Sequence, residues 1–196
     1  MGRPGKFTTD IVLDAALDVL ERDGMRALTM TRVCEQLNAP SGSLYHRFPS
    51  RDALLVALWL RCAERFQSGM EAVLLEHDDT RAAAHAAVRY FIARTRQHRA
   101  EALVLMAWRR EDLLGSHWPP KVRKRAEALA ADHHRVAKDF ARRLWPHGQG
   151  DLARLNYALS GLPMAAVLDE LRGSRPMHNA EDWVITALDA VLQDCW

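Results

Sequence analysis

Eleven consecutive residues, Pro40 to Ser50 (PSGSLYHRFPS), hold the clearest capacity for chemistry in this chain. It is the chemistry of hydrogen bonding, not of bond breaking. The hydroxyls of Ser41 and Ser43 donate and accept. Gly42 between them has no side chain, so a partner can approach the backbone closely. Tyr45 and His46 carry polar tips on longer stems, and Arg51 adds a fixed positive charge. Upstream, Thr29, Thr31 and Arg32 repeat the theme of hydroxyls beside a guanidinium. Leu44 and Phe48, four residues apart, are the large apolar side chains of the run. Such a set buries a few side chains and presses the rest against something large and polar.

Covalent chemistry finds no comparable set, and the sequence reads as no enzyme. There is no phosphate loop, no dinucleotide-binding glycine fingerprint and no zinc-protease histidine pair. His133 and His134 are adjacent, so on a helix they diverge and do not chelate together. Neither a metal nor another cofactor is expected. The three cysteines, Cys34, Cys62 and Cys195, are scattered and form no disulfide framework. Cys34 and Cys62 each fall on an apolar helical stripe; a buried inert thiol and an oxidant sensor are both open readings. The 196 residues carry a formal charge of only +2, so an anionic partner must be met by a local surface. The longest apolar stretch, Ala53 to Leu60, is far too short to span a membrane. The basic N-terminus has no apolar run behind it, so the expected location is the cytoplasm.

The elements that must position the polar run are helices, and the fold class is all-α. Apolar residues recur near every 3.6 positions and nowhere alternate. Thr8 or Thr9 caps a first helix that ends at Gly24, and a second starts at about Thr29. Asn38-Ala39-Pro40 breaks it, and the polar run forms a short third helix. Ser50 caps a long fourth helix, about residues 50–76. Further helices are expected near 81–96, 101–114, 120–144, 151–172 and 180–195, about nine in all. Gly161 and Pro163 should bend the penultimate one. Two short helices, a tight turn and a small polar front describe a helix-turn-helix, whose second helix enters the major groove of DNA. Thr29, Thr31, Arg32 and Arg51 would then meet phosphates, and Ser41, Gly42, Ser43, Tyr45 and His46 base edges or backbone. Arg3 and Lys6 in the arm MGRPGK either enter the minor groove or form a merely solvated terminus.

The stretch from about Val12 to Leu55 resembles the DNA-binding domain of TetR-family transcriptional regulators. The resemblance rests on VLDAA, Gly24 and LTMTRVCEQLNAPSGSLYHRFPSRDALL, with Gly42-Ser43-Leu44-Tyr45, Phe48 and Leu54-Leu55 as its most specific part. It covers roughly a quarter of the chain. Departures are Asn38 at a turn position usually held by glycine, Arg47 before the phenylalanine, Arg51 in place of lysine and Cys34 in place of alanine. The resemblance implies a homodimeric repressor on a palindromic operator of double-stranded DNA, phosphate contacts by Tyr45 and Arg51, and a small-molecule effector that tilts the fourth helix. It divides the chain into a DNA-binding domain, 1–52, and a helical effector-binding and dimerisation domain, 53–196. A rival reading keeps the fold and drops the DNA: a dimeric helical ligand-binding or scaffold protein.

Trp59, Phe66, Tyr90, Met106, Trp108, Trp118 and Phe140 are the large or polarisable side chains of the middle helices. They either line a pocket for an apolar or aromatic effector or are plain core. The last two helices are the candidate dimer face, through Leu155, Leu159, Leu162, Ala166, Trp183, Val184, Leu188 and Val191. The alternative there is an ordinary intramolecular core.

Overall fold

Short polar side chains set where the helices begin. In a computed structural model describing residues 7–107, 118–148, 150–174 and 177–196, Thr8 caps α1 (Thr9–Asp23), its hydroxyl accepting from the Ile11 N–H at 3.3 Å. Thr29 does the same for α2 (Met30–Leu37), and Ser50 for α4 (Arg51–Leu75). Asp79 caps α5 (Thr80–Gln97) and Asp151 caps α8 (Leu152–Asn156). Each satisfies a backbone N–H that a helix start leaves without a partner. The remaining helices are α3 (Ser41–Arg47), α6 (Arg99–Ala107), α7 (Pro120–Leu144), α9 (Leu162–Leu171) and α10 (Ala180–Val191). No strand occurs among the described residues. The expected extension of α6 to residue 114 lies outside them.

The described residues form two compact units. The first comprises those of Met1–Ala63 and Arg99–Arg123, the second those of Glu64–His98 and Lys124–Trp196. The first unit therefore holds α6 as well as the expected DNA-binding region, and α4 contributes residues to both. In the first unit Val12, Leu13, Ala16, Val19 and Leu20 of α1 are buried, with Leu28, Val33, Leu44, Phe48, Leu54 and Leu58. Polar ties run from α1 to α4 and α6. Arg61 of α4, almost fully buried, donates to the Asp14 carboxylate at 2.8 Å and to the Asp10 carbonyl at 3.2 Å. At its other end Glu21 accepts from the Ala100 N–H at 3.1 Å, where the start of α6 favours a negative charge.

In the second unit α5 is the central element, and both α9 and α10 pack on it. Tyr90 of α5 lies across Gly69 of α4 and donates its hydroxyl to the Phe66 carbonyl at 3.1 Å. Arg143 of α7 closes the C-terminus of α4, donating to the carbonyls of Leu74 at 2.8 Å, His77 at 2.5 Å and Asp78 at 3.2 Å. Pro163 has no N–H to return to Leu159, and the chain answers with a π turn, Tyr157–Gly161, between α8 and α9. The expected bend is thus one wide turn in a continuous helix. Arg96 grips Glu170 through two hydrogen bonds of 2.9 and 2.7 Å. Arg81 and His85 share Asp189, and Arg154 binds Asp194 and the Val191 carbonyl at the end of α10.

Gly69→Ala tests the α4–α5 packing. In an exposed helix this change stabilises by up to about 1 kcal/mol. Here the new Cβ would overlap the Tyr90 ring, so chemical denaturation should show a loss of about 1–3 kcal/mol. The loss should disappear when Tyr90 is first cut back to alanine. The carboxylates set the acid behaviour. Hydrogen bonds from Arg96 and Arg81 hold Glu170 and Asp189 below their ordinary values, and Arg154 draws Asp194 from 3.8 to about 2. A depressed carboxyl stabilises the fold fully above its unfolded value and loses that contribution as pH falls through its folded one. Thermal melts should therefore show stability falling from about pH 4.5 towards 2. Asp194→Asn should lower the melting point at pH 6 and converge on the wild type near pH 2.

Candidate nucleic-acid interface

The turn between α2 and α3 is made by one residue in an unusual conformation. Asn38 adopts φ 49° and ψ 46°, the left-handed region that asparagine tolerates. Its N–H returns to the Glu35 carbonyl at 3.0 Å, and the Ala39 N–H to the Cys34 carbonyl at 2.9 Å, closing α2. Pro40, extended at φ −59° and ψ 136°, redirects the chain into α3. On α3, Leu44 and Phe48 are 2% and 5% exposed and pin the helix to its unit. Everything else on it faces outward: Ser41, Gly42, Ser43, His46 and Arg47 are exposed, and Tyr45 is half exposed at 50%. A Cβ at Gly42 would meet nothing within 4 Å.

This outward tip adjoins a dent of about 310 Å³, lined by Thr31, Cys34, Glu35, Asn38, Ala39, Ser41 and Tyr45. The dent brings the hydroxyls of α2 and α3 onto one surface with a carboxylate beside them. Thr29 is exposed, with its oxygen accepting from the Arg32 N–H. Cys34 lies at the buried edge, and burial pushes its thiol up, towards the neutral form. That favours the inert thiol over the oxidant sensor; Cys62 is buried as well.

The arginines sit differently from the expectation of free phosphate hooks. Arg51 is half buried, and its Nε donates to the Leu28 carbonyl at 2.6 Å, closing the 3₁₀ turn Met25–Ala27. Its guanidinium is committed within the chain, with a second, longer contact from Nη2 to the Met25 carbonyl at 3.5 Å. Arg32 is exposed but bound to Asp23 at 2.9 Å and Glu35 at 3.1 Å. Arg47 donates to the Thr9 hydroxyl at 2.9 Å, a contact across 38 residues that no local pattern announces. Arg3 and Lys6 lie outside the described residues.

The expected effector residues fall in both units. Trp59, in the first, is 6% exposed, and its indole N–H has no hydrogen-bond partner among the described residues. Met106 and Trp118, also in the first, are half exposed. In the second, Phe66 packs on Tyr90, ring centroids 5.7 Å apart, and edge-on to Phe91 at 5.2 Å. Phe140 is buried beneath the Arg143 guanidinium. Tyr90 is half exposed and donates its hydroxyl to the Phe66 carbonyl. Trp108 lies outside the described residues.

Half of the expected dimer face is core. Leu155 of α8, Leu159 of the π turn, and Val184 and Leu188 of α10 are buried inside their own unit, where the π turn and α10 both pack on α5. Leu162, Ala166 and Val191 are partly open, and Trp183 is 60% exposed. Tyr157, Met177 and Trp196 are exposed apolar side chains that the sequence reading missed.

Two short helices joined by a left-handed turn, the second bare at its front and pinned by two apolar side chains, define a helix-turn-helix protein. Residues 12–58 match the family of bacterial regulatory proteins named for tetR, and this N-terminal domain belongs to that family. The fold recurs in solved structures. The TetR family transcriptional regulator PfmR from Thermus thermophilus is 19% identical, with 93% of this chain and 97% of that one covered and a TM-score of 0.64. The transcriptional regulator FadR from Bacillus subtilis, in complex with stearoyl-CoA, is 13% identical, with 93% and 94% covered and a TM-score of 0.61. A TetR variant from Acinetobacter baumannii AYE, in complex with minocycline, is 21% identical, with 96% of each chain covered and a TM-score of 0.64. At these identities the likeness is one of fold. None of the curated proteins is detectably similar in sequence. No helix of the described residues is long and apolar enough to cross a membrane.

The bare tip has a consequence for stability. Nothing in the fold fills the space a methyl group at Gly42 would take. Gly42→Ala should therefore raise unfolding stability by up to about 1 kcal/mol. A loss of stability in chemical denaturation would mean that the fold itself requires this glycine.

Proposed function

We propose that the protein is a homodimeric transcriptional repressor that reads a palindromic operator through α3 and is released by a small apolar or aromatic effector. One observation carries the reading. The only large apolar side chains of the α3 segment that are buried are Leu44 and Phe48, while Ser41, Gly42, Ser43, Tyr45 and His46 all face outward. A helix needs such a front to settle into the major groove, with hydroxyls at base-edge distance and little bulk in the way. Thr29 and Thr31 add hydroxyls at the front of α2 for the phosphate backbone. We assign no catalytic role to the chain and place its work in the cytoplasm, where DNA is met.

Dimerisation follows from the same reading, since paired recognition helices about 34–36 Å apart meet one face of the duplex. We place this face on Trp183, Tyr157, Leu162, Ala166 and Val191, whose surface is partly or largely open. Two neighbours of the same fold hold stearoyl-CoA and minocycline, which supports an effector of mainly apolar or ring-rich character. Trp59 offers that effector an unspent indole N–H in a buried setting.

Binding to the DNA upstream of the protein's own gene tests the reading. The wild type should bind this fragment more tightly than a mixed-sequence duplex, and less tightly as salt rises. Replacing Ser41 and Ser43 together by glutamate puts two charges on exposed positions. It should leave the melting point within a few degrees and weaken binding at least about tenfold through phosphate repulsion. Undiminished binding by that variant would remove α3 from the interface. No binding by the wild type would favour the helical ligand-binding or scaffold protein instead.

A further inference from the structure

A DNA-reading surface is expected to present free cations, yet four guanidinium groups around this one, those of Arg22, Arg32, Arg47 and Arg51, are engaged inside the chain. Arg22 holds Asp23 through bonds of 3.0 and 2.9 Å and reaches Gln36 at 3.1 Å. Arg32 spans Asp23 at 2.9 Å and Glu35 at 3.1 Å. Arg47 is on Thr9 and Arg51 on Leu28. The four charges of Arg22, Arg32, Asp23 and Glu35 sum to zero. Glu35 also lines the dent beside Ser41 and Tyr45, so a carboxylate stands on the proposed reading surface itself.

We propose that Asp23 and Glu35 are specificity-determining residues that hold Arg32 back from DNA phosphates and so weaken binding to non-cognate duplex. The inference rests on the DNA-binding reading above. Non-specific affinity comes from cations that release counterions as they meet phosphates. An Arg32 held by two carboxylates releases fewer. Exposed ion pairs are individually weak, so the hold is one that a well-fitted duplex can exchange. At a cognate site the hydroxyls of α2 and α3 engage base edges and backbone together, and the exchange is favourable there. On mixed sequence it is not. The Arg32 guanidinium binds its proton more tightly than usual, first through Glu35 and then Asp23, as a cation in a two-sided clamp should.

Salt titrations on a mixed-sequence duplex and on the upstream fragment test this, with wild type, Glu35→Gln, Arg32→Ala and the double variant compared. Glu35 is exposed and glutamine has its shape, so the melting point should not move. Glu35→Gln should bind mixed-sequence DNA about two- to fivefold tighter, with a log–log salt slope steeper by about 0.9, one phosphate contact. Its preference for the upstream fragment should narrow accordingly. In the Arg32→Ala background the same substitution should gain nothing, because the cation it would free is gone. Asp23→Asn provides a second route and should change affinity and slope in the same direction. An unchanged slope in both single variants, or a gain that persists without Arg32, would overturn the proposal while leaving DNA binding intact. A wild type that binds neither duplex would overturn the DNA-binding reading, and this inference with it.

Discussion

A helix of seven residues does not stand in water by itself, and the proposed activity depends on one that does. What holds α3 in place is the left-handed turn at Asn38 together with two buried side chains one helical turn apart, Leu44 and Phe48. The turn fixes the direction in which α3 leaves α2. The anchors fix its rotation, and with it the set of residues that face outward. Both constraints are apolar or backbone in nature. The exposed tip is therefore free to be small and polar without weakening the fold, a division of labour that Gly42 shows most clearly. α4, α1 and α6 complete the support through a buried cation, Arg61, and a carboxylate at a helix start, Glu21.

Much of this was legible in the sequence because it is local. The caps at Thr8, Thr29 and Ser50 are written within three residues of the N–H groups they satisfy. Asn38 announces its own conformation, since few other side chains accept it. Leu44 and Phe48 share a face by spacing alone. The misses are contacts across long separations. Arg51 reads as a free cation until the carbonyl of Leu28, 23 residues earlier, is placed beside it. Arg47 and Thr9 are 38 residues apart. The stripe containing Val184 and Leu188 says that this face is covered but not by what; α5 covers it, so the open part of the surface is Trp183 and Tyr157 instead. The residues expected to enclose an effector were chosen for size, and size is equally what a core requires, as the buried Phe140 shows.

The second unit follows a different logic from the first. Its helices are tied to one another by arginine and carboxylate pairs that bridge long stretches of sequence: Arg96 to Glu170, Arg81 to Asp189, Arg125 to Glu64, Arg135 to Glu71. Such pairs add little stability each, but each has a geometry that only one register of the helices satisfies. Around the reading surface the same chemistry pairs Arg22 and Arg32 with Asp23 and Glu35, while Arg47 and Arg51 are held by a hydroxyl and a carbonyl. The chain is nearly neutral overall, while residues 26–51 hold Arg26, Arg32, Arg47 and Arg51 against Glu35; of these, Arg32, Arg47 and Arg51 are engaged within the chain. Recognition is then left to hydroxyls, helix N–H groups and close approach more than to bulk attraction.

The central claim is that the front of α3 meets DNA. Amide chemical shifts recorded while a duplex carrying the upstream sequence is titrated in would test it most directly. The account predicts that the largest changes fall on Ser41 to His46, with smaller ones at Thr29 to Arg32 and none beyond broadening in α9 and α10. Shifts concentrated elsewhere, with the amides of Ser41 to His46 unmoved at saturation, would contradict it.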